Sequence, residues 1–195
     1  MILTLGIALT IQSKLGASPF DALLVGLYRT YGLTIGSWEI VVGFSMIVFN
    51  SIAEKRRPDL IALFTSALTG AGIDFWVHTI KGWIEPETWI AQYACLLLGL
   101  VILSLGIAVN LQADFAPNPF DRMMLVLRNL TGMSVSYSRA AISLVLVIIA
   151  AFFGGAIGMG TLIIATVSGF VIHSFMNHLN RFDTWLLGEG KLHQK

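Results

Sequence analysis

"GASPFD" at residues 16–21 places a proline and an aspartate among apolar neighbours, and one hundred residues later the chain reads "APNPFD" at residues 116–121. Setting Leu5–Phe49 against Leu105–Ile149 without a gap gives ten identities in 45 positions, eight of them within the first 17. Apolar runs match one another by chance. Gln12 with Gln112, and Pro19-Phe20-Asp21 with Pro119-Phe120-Asp121, do not. The register reads as an internal duplication, each copy carrying a long helix, a short helix and two more long helices.

Composition sets the solvent. Of 195 residues 56% are hydrophobic and only 12% charged, and the mean hydropathy is +0.80. A soluble domain of this size cannot hide so much apolar surface, so the expected surroundings are a lipid bilayer. A formal net charge of +1 with no basic tract gives no sign of nucleic acid binding. The single Cys95 rules out a disulfide framework or a cysteine metal site. The opening "MILTLGIALTIQSKLG" lacks the basic n-region of a cleaved signal peptide.

The apolar runs are Met1–Ile11, Trp38–Ile52, Leu60–Ile80, Trp89–Leu111, Val135–Phe153 and Gly160–Phe175, with short stretches at Pro19–Tyr31 and Pro119–Leu130. A crossing needs roughly 20 apolar residues, so six runs qualify or nearly qualify, and the two short stretches do not comfortably span. The expected fold is an all-α membrane protein of six transmembrane helices in two inverted repeats, each with one short re-entrant or interfacial helix. The first repeat covers 1–80 with its short helix at 18–31. The second covers 87–178 with its short helix at 118–131, and 179–195 is a cytoplasmic tail.

Three crossings per copy invert the second copy, and the charges fit that arrangement. With both termini inside, nine basic residues (Lys55, Arg56, Arg57, Arg122, Arg128, Arg139, Arg181, Lys191, Lys195) fall on the cytoplasmic side and three (Lys14, Arg29, Lys81) outside. By the repeat, Trp89 has its counterpart before Met1. The first helix is therefore expected to be clipped, with roughly 20 Å of helix ahead of Lys14 against a hydrocarbon core of about 30 Å.

Pro-Phe-Asp has two readings. In the first, Ser18 and Asn118 are N-caps, Pro19 and Pro119 take the first helical position, and Asp21 and Asp121 close capping boxes. In the second, the short helices are re-entrant and their starts converge near the midplane, where transporters place ion and substrate sites. Asp21 and Asp121 are then carboxylates beside a pathway, costly in lipid and functional by default. Gln12, Gln112 and Asn110, polar near the ends of the first helix of each copy, complete the candidate substrate-binding set. Asp74 is expected to snorkel at the outer end of its helix. The glycines of residues 154–161 read as a tight outer turn, since no lysine follows to make a nucleotide-binding loop. No spacing of His, Cys or carboxylates suits a metal, and none suits catalysis. The expectation is no enzyme, no cofactor and no metal.

Gly6-Ile7-Ala8, the run Gly16 to Leu23, "YGLTIGSWEIVVG" from Tyr31 to Gly43 and "GMGT" at 158–161 together resemble the YczE/YyaS/YitT-type bacterial integral membrane proteins, along essentially the whole chain. The sequence departs from that pattern in "PDLIAL", which replaces a glycine-threonine turn, and in "APNPFDR", which lacks a glycine. The resemblance implies a multi-pass protein of the bacterial inner membrane and supplies no substrate. Two functions stay open. One is a small secondary transporter or conduit for an unknown small solute or ion, working as a homo-oligomer because six short helices enclose little. The other is a non-transporting regulator or assembly partner of another membrane system.

Overall fold

A computed structural model describes residues 1–112 and 118–187, with backbone alone for 180 and 182–187. These residues form eight helices and no strand: α1 (Ile2–Gln12), α2 (Pro19–Tyr31), α3 (Ile35–Glu54), α4 (Leu60–Ile80), α5 (Trp89–Gln112), α6 (Pro119–Thr131), α7 (Val135–Phe152) and α8 (Met159–Leu187). The polar punctuation sets their ends. Thr34 accepts from the Ser37 N–H to start α3, and Asp59 accepts from the Ile61 and Ala62 N–H groups to start α4. Gly32 and Gly132 close the two short helices at φ +77° and +72°, where a side chain would be strained.

Five helices have the length and hydropathy of membrane spans: α3, α4, α5, α7 and residues 159–179 of α8. Six were expected. The sixth, α1, has 11 residues and extends about 16 Å. Phe44, Phe64, Phe75, Leu98, Leu144 and Phe170 lie exposed on the outside of the bundle, as suits a surface whose solvent is lipid. The chain is a multi-pass membrane protein. Of the tail expected from 179, residues 179–187 continue α8, and 188–195 lie outside the described residues.

Close packing rests on glycines. A Cβ on Gly6 would overlap the backbone of Leu103, and one on Gly106 the backbone of Leu3. Leu3 and Gly6 are the sequence equivalents of Leu103 and Gly106, so the crossing repeats one contact from both sides with α1 and α5 antiparallel. Gly36 and Gly70 bring α3 and α4 together in the same way. Lipid tails are as apolar as leucine, so helices associate in the bilayer through such backbone approach and van der Waals contact. Other packings also come in matched pairs: α1 on α4 with α5 on α8, α2 on α7 with α6 on α3, and α2 on α3 with α6 on α7.

Some polar groups within the helices are paired, while the Ser66, Ser104 and Ser138 hydroxyls lack a partner among the described residues. Thr10 and Ser13 donate to carbonyls of their own helix, Ile7 O at 2.8 Å and Thr10 O at 2.6 Å. Asp74, expected to snorkel, instead accepts from the Thr34 hydroxyl at 2.6 Å and the Gly36 N–H at 2.8 Å. A carboxylate at the start of α3 meets unpaired N–H groups and the positive end of the helix dipole. The core centres on α2, in which every residue from Pro19 to Leu27 is buried. Its counterpart α6 buries only Pro119 and Val126.

A valine at Gly6 or Gly106 forces the α1/α5 crossing apart. We expect each to cost about 1–3 kcal/mol or more and to appear as aggregation and a lowered melting temperature in detergent. Gly169→Val, where a Cβ meets nothing within 4 Å, should melt as the wild type does. Equal behaviour of the three variants would refute the packing argument.

Candidate functional site at the starts of the short helices

Between α1 and α2 the chain leaves helical geometry, with Lys14 at φ +61° and Gly16 at φ +115°. The α7/α8 connection satisfies this break. The Ala17 N–H donates to Ala156 O at 2.9 Å, and the Gly160 N–H donates to Leu15 O at 2.8 Å. Ser13 Oγ accepts from the Leu15 N–H at 3.3 Å. Gly16 lies so close that a Cβ there would stand 2.7 Å from both Gly158 N and Thr161 Oγ1. The glycines of 154–161 therefore form more than an outer turn: they are the surface on which the start of α2 is laid. The equivalent positions, 113–117, lie outside the described residues.

Both short helices start on a cap, as the sequence implies. Ser18 Oγ accepts from the Asp21 N–H at 3.2 Å and donates to Asp21 Oδ2 at 2.6 Å. Asp21 thus returns to the serine hydroxyl rather than to its backbone N–H, a variant of the capping box. Asn118 Oδ1 accepts from the Phe120 N–H at 3.1 Å. The Phe20 and Phe120 rings meet with centroids 6.0 Å apart, so the equivalent starts are in contact. The start of α6 is level with the interior of α3: Pro119 packs beside Gly43, and Asn50 Nδ2 donates to Pro119 O at 3.2 Å.

Charged neighbours distinguish the two starts. Asp21 is 3% exposed and interacts electrostatically with Glu39 of α3, which is 1% exposed. Glu39 Oε1 has no hydrogen-bond partner among the described residues. Asp121 instead interacts with Arg139 of α7, whose guanidinium lies 6.0 Å from the centroid of the Phe120 ring. Arg122 bridges Glu54 at 3.1 Å and Asp59 at 3.5 Å, tying α6 to the end of α3 and the start of α4.

Of the sequence candidates, Ser18 and Asp21 are brought together, and Asn118 and Asp121 begin α6. The antiparallel crossing puts Gln12 and Gln112 at opposite ends of the α1/α5 pair. Asn110 lines a cavity of about 500 Å³ with Met1, Thr4, Thr65 and Thr69. Glu39 was not among the candidates, because the run 38–52 reads as continuously apolar. Two signals marked it: a charge inside a spanning run is costly and functional by default, and the ungapped repeat pairs it with Arg139.

Comparison with known proteins places this architecture in one family. The pattern of DUF6198, a family of unknown function, matches residues 1–177. The chain is 41% identical over 181 residues to the uncharacterized protein YyaS of Bacillus subtilis, covering 93% of this chain and 90% of YyaS. It is 32% identical over 173 residues to the uncharacterized membrane protein YczE of the same organism, covering 88% of this chain and 79% of YczE. An uncharacterized protein of Haemophilus influenzae is 24% identical over 181 residues, covering 92% of this chain and 81% of that protein. No solved structure matches.

Gly16→Ala combines a left-handed φ with overlap onto the α7/α8 connection. We expect it to cost about 2–3 kcal/mol or more, against about 1 kcal/mol for Gly32→Ala, where φ is also positive but the space is open. Melting of the two purified variants in detergent makes the comparison. A Gly16→Ala protein as stable as Gly32→Ala would show that the break is not held by that packing.

Proposed function

This chain belongs to DUF6198, a family of unknown function, and on that premise we propose that it is a small secondary transporter or conduit with its site between α2 and α6. The observation that carries the reading is the contact between two equivalent helix starts, Phe20 against Phe120, with buried Asp21 beside it. Two half-helices meeting at the interface of inverted repeats make the usual place for an ion or small solute. Inversion is supported by the antiparallel α1/α5 crossing, by its reciprocal Leu3–Gly106 and Gly6–Leu103 contacts, and by the matched helix pairs. Re-entry is supported for α2 by the burial of all its residues from Pro19 to Leu27, since a helix lying flat at an interface leaves one face uncovered.

In this reading six segments cross a bacterial inner membrane, α1 as the short one. Both termini and the α3/α4 loop face the cytoplasm, and residues 81–88 face outward. The cargo is a small solute or ion, and the working form is a homo-oligomer. One observation favours the alternative, a non-transporting regulator or assembly partner: Ser18 and Asp21 satisfy each other as a cap, which accounts for Asp21 without a pathway.

Asp21→Asn and Asp121→Asn, singly and together, separate the readings. A cap that keeps an amide acceptor loses roughly 0.5–2 kcal/mol, and any cellular phenotype then declines only in step with abundance. A pathway carboxylate loses the phenotype while melting temperature and expression stay near wild type, and this is the outcome we expect. Phenotype tracking stability alone would return Asp21 to a capping role. Orientation is checked with single cysteines at positions 55 and 85 in a Cys95→Ser background. External reagent is expected to label position 85 and to spare position 55, and the reverse pattern would overturn the topology.

A further inference from the structure

Two copies of one backbone carry opposite charges at one equivalent position. Asp21 matches Asp121, and Glu39 matches Arg139, each pair one hundred residues apart. In the second copy the aspartate has a protein cation: Arg139 acts on Asp121 and covers the Phe120 ring. In the first copy the corresponding position holds a second carboxyl. Asp21 and Glu39 are almost completely enclosed, and Glu39 Oε1 faces no hydrogen-bond donor among the described residues.

The elements packed on α3 do not lend a cation to Glu39, and Arg139 of α7, which packs on α2, lies over the Phe120 ring and acts on Asp121. On α2, Arg29 donates to Gly154 O at 2.8 Å. On α6, Arg122 is held by Glu54 and Asp59, while Asp121 is under the electrostatic influence of Arg139. On α4, Asp74 is occupied by the start of α3, and His78 is exposed. Two like charges in a water-poor interior repel each other unless a cation sits with them. The second copy provides that cation covalently, as arginine.

We infer that Asp21 and Glu39 form a proton-binding pair, in which one exchangeable proton takes the part that Arg139 plays beside Asp121. The proton arrives from water, makes one O–H bond to a carboxylate oxygen and leaves by breaking that bond. No other bond changes. A metal cation fits less well, because hard cations take about six oxygen ligands. The pair offers two carboxyls, one already accepting from Ser18, and no cluster of three metal-ligating side chains occurs among the described residues. The pair rests on the burial of both carboxyls, on the unpartnered Glu39 Oε1 and on the packing of α2 against α3. Its use as the coupling site rests on the transport reading.

The test uses the full chain purified into lipid nanodiscs and dicyclohexylcarbodiimide, which modifies protonated carboxyls in apolar surroundings, with adducts mapped by mass spectrometry. An adduct at Glu39 is expected at mildly acid pH, falling about tenfold per pH unit once the proton is lost. Glu39→Gln should abolish that adduct, and Asp21→Asn should move the pH at which it falls. An absent or pH-independent adduct would overturn the inference, and so would protection by sodium chloride at constant pH, which would assign the pair to a metal cation. The readout is taken on the folded wild type, so it survives if a variant fails to fold. A pH-dependent Glu39 adduct alongside Asp21 and Asp121 variants that follow stability alone would leave the proton pair standing and remove its role in transport.

Discussion

Backbone that is not helical cannot face lipid, and the arrangement of this protein follows from how one such break is covered. At residues 13–18 the chain must turn from α1 into α2 with polar groups that no helix satisfies. The α7/α8 connection supplies partners for Leu15 and Ala17, and the serine side chains at 13 and 18 supply more. A buried amide without a partner is costly, and here the connection and the break come together within the bundle. Gly16, Gly158 and Gly160 make this possible by letting backbone approach backbone. Once the break is covered, α2 is enclosed by the long helices around it.

The same use of small residues builds the rest. Gly6 and Gly106 set the α1/α5 crossing, and Gly36 and Gly70 set α3 against α4. Water gives no driving force between helices in a bilayer, so the contacts that matter are those permitting the closest approach. Many large apolar residues lie exposed on the outside of the bundle, while Phe20, Leu23, Leu24 and Leu27 of α2 fill its core.

Positions one hundred residues apart share backbone contacts but differ in charge. The α1/α5 crossing is reciprocal and Phe20 meets its equivalent Phe120, whereas burial and charge differ between the equivalent positions. Asp21 and Glu39 are both sealed, whereas Asp121 is half-buried under the influence of Arg139 and is followed by the Arg122 bridge. Packing alone would be served as well by two identical environments. Between described residues at equivalent positions near these starts, the largest difference in charge is Glu39 against Arg139.

The sequence by itself determined the solvent, the helices and their caps. Mean hydropathy, run lengths and the hundred-residue register are properties of local composition and spacing, and Ser18-Pro19 and Asn118-Pro119 specify helix starts within a few residues of chain. Family membership was also legible, because "GASPFD" and its surroundings are local text. Only the tertiary structure decided what stands beside each start. That the α7/α8 glycines cover the α1/α2 break and that Asp74 caps α3 are contacts between residues tens to more than a hundred positions apart, and the enclosure of Glu39 depends on helices equally distant in sequence. Charge in a low-dielectric interior is governed by neighbours in space, and a run that reads as apolar with one glutamate in it does not say who those neighbours are.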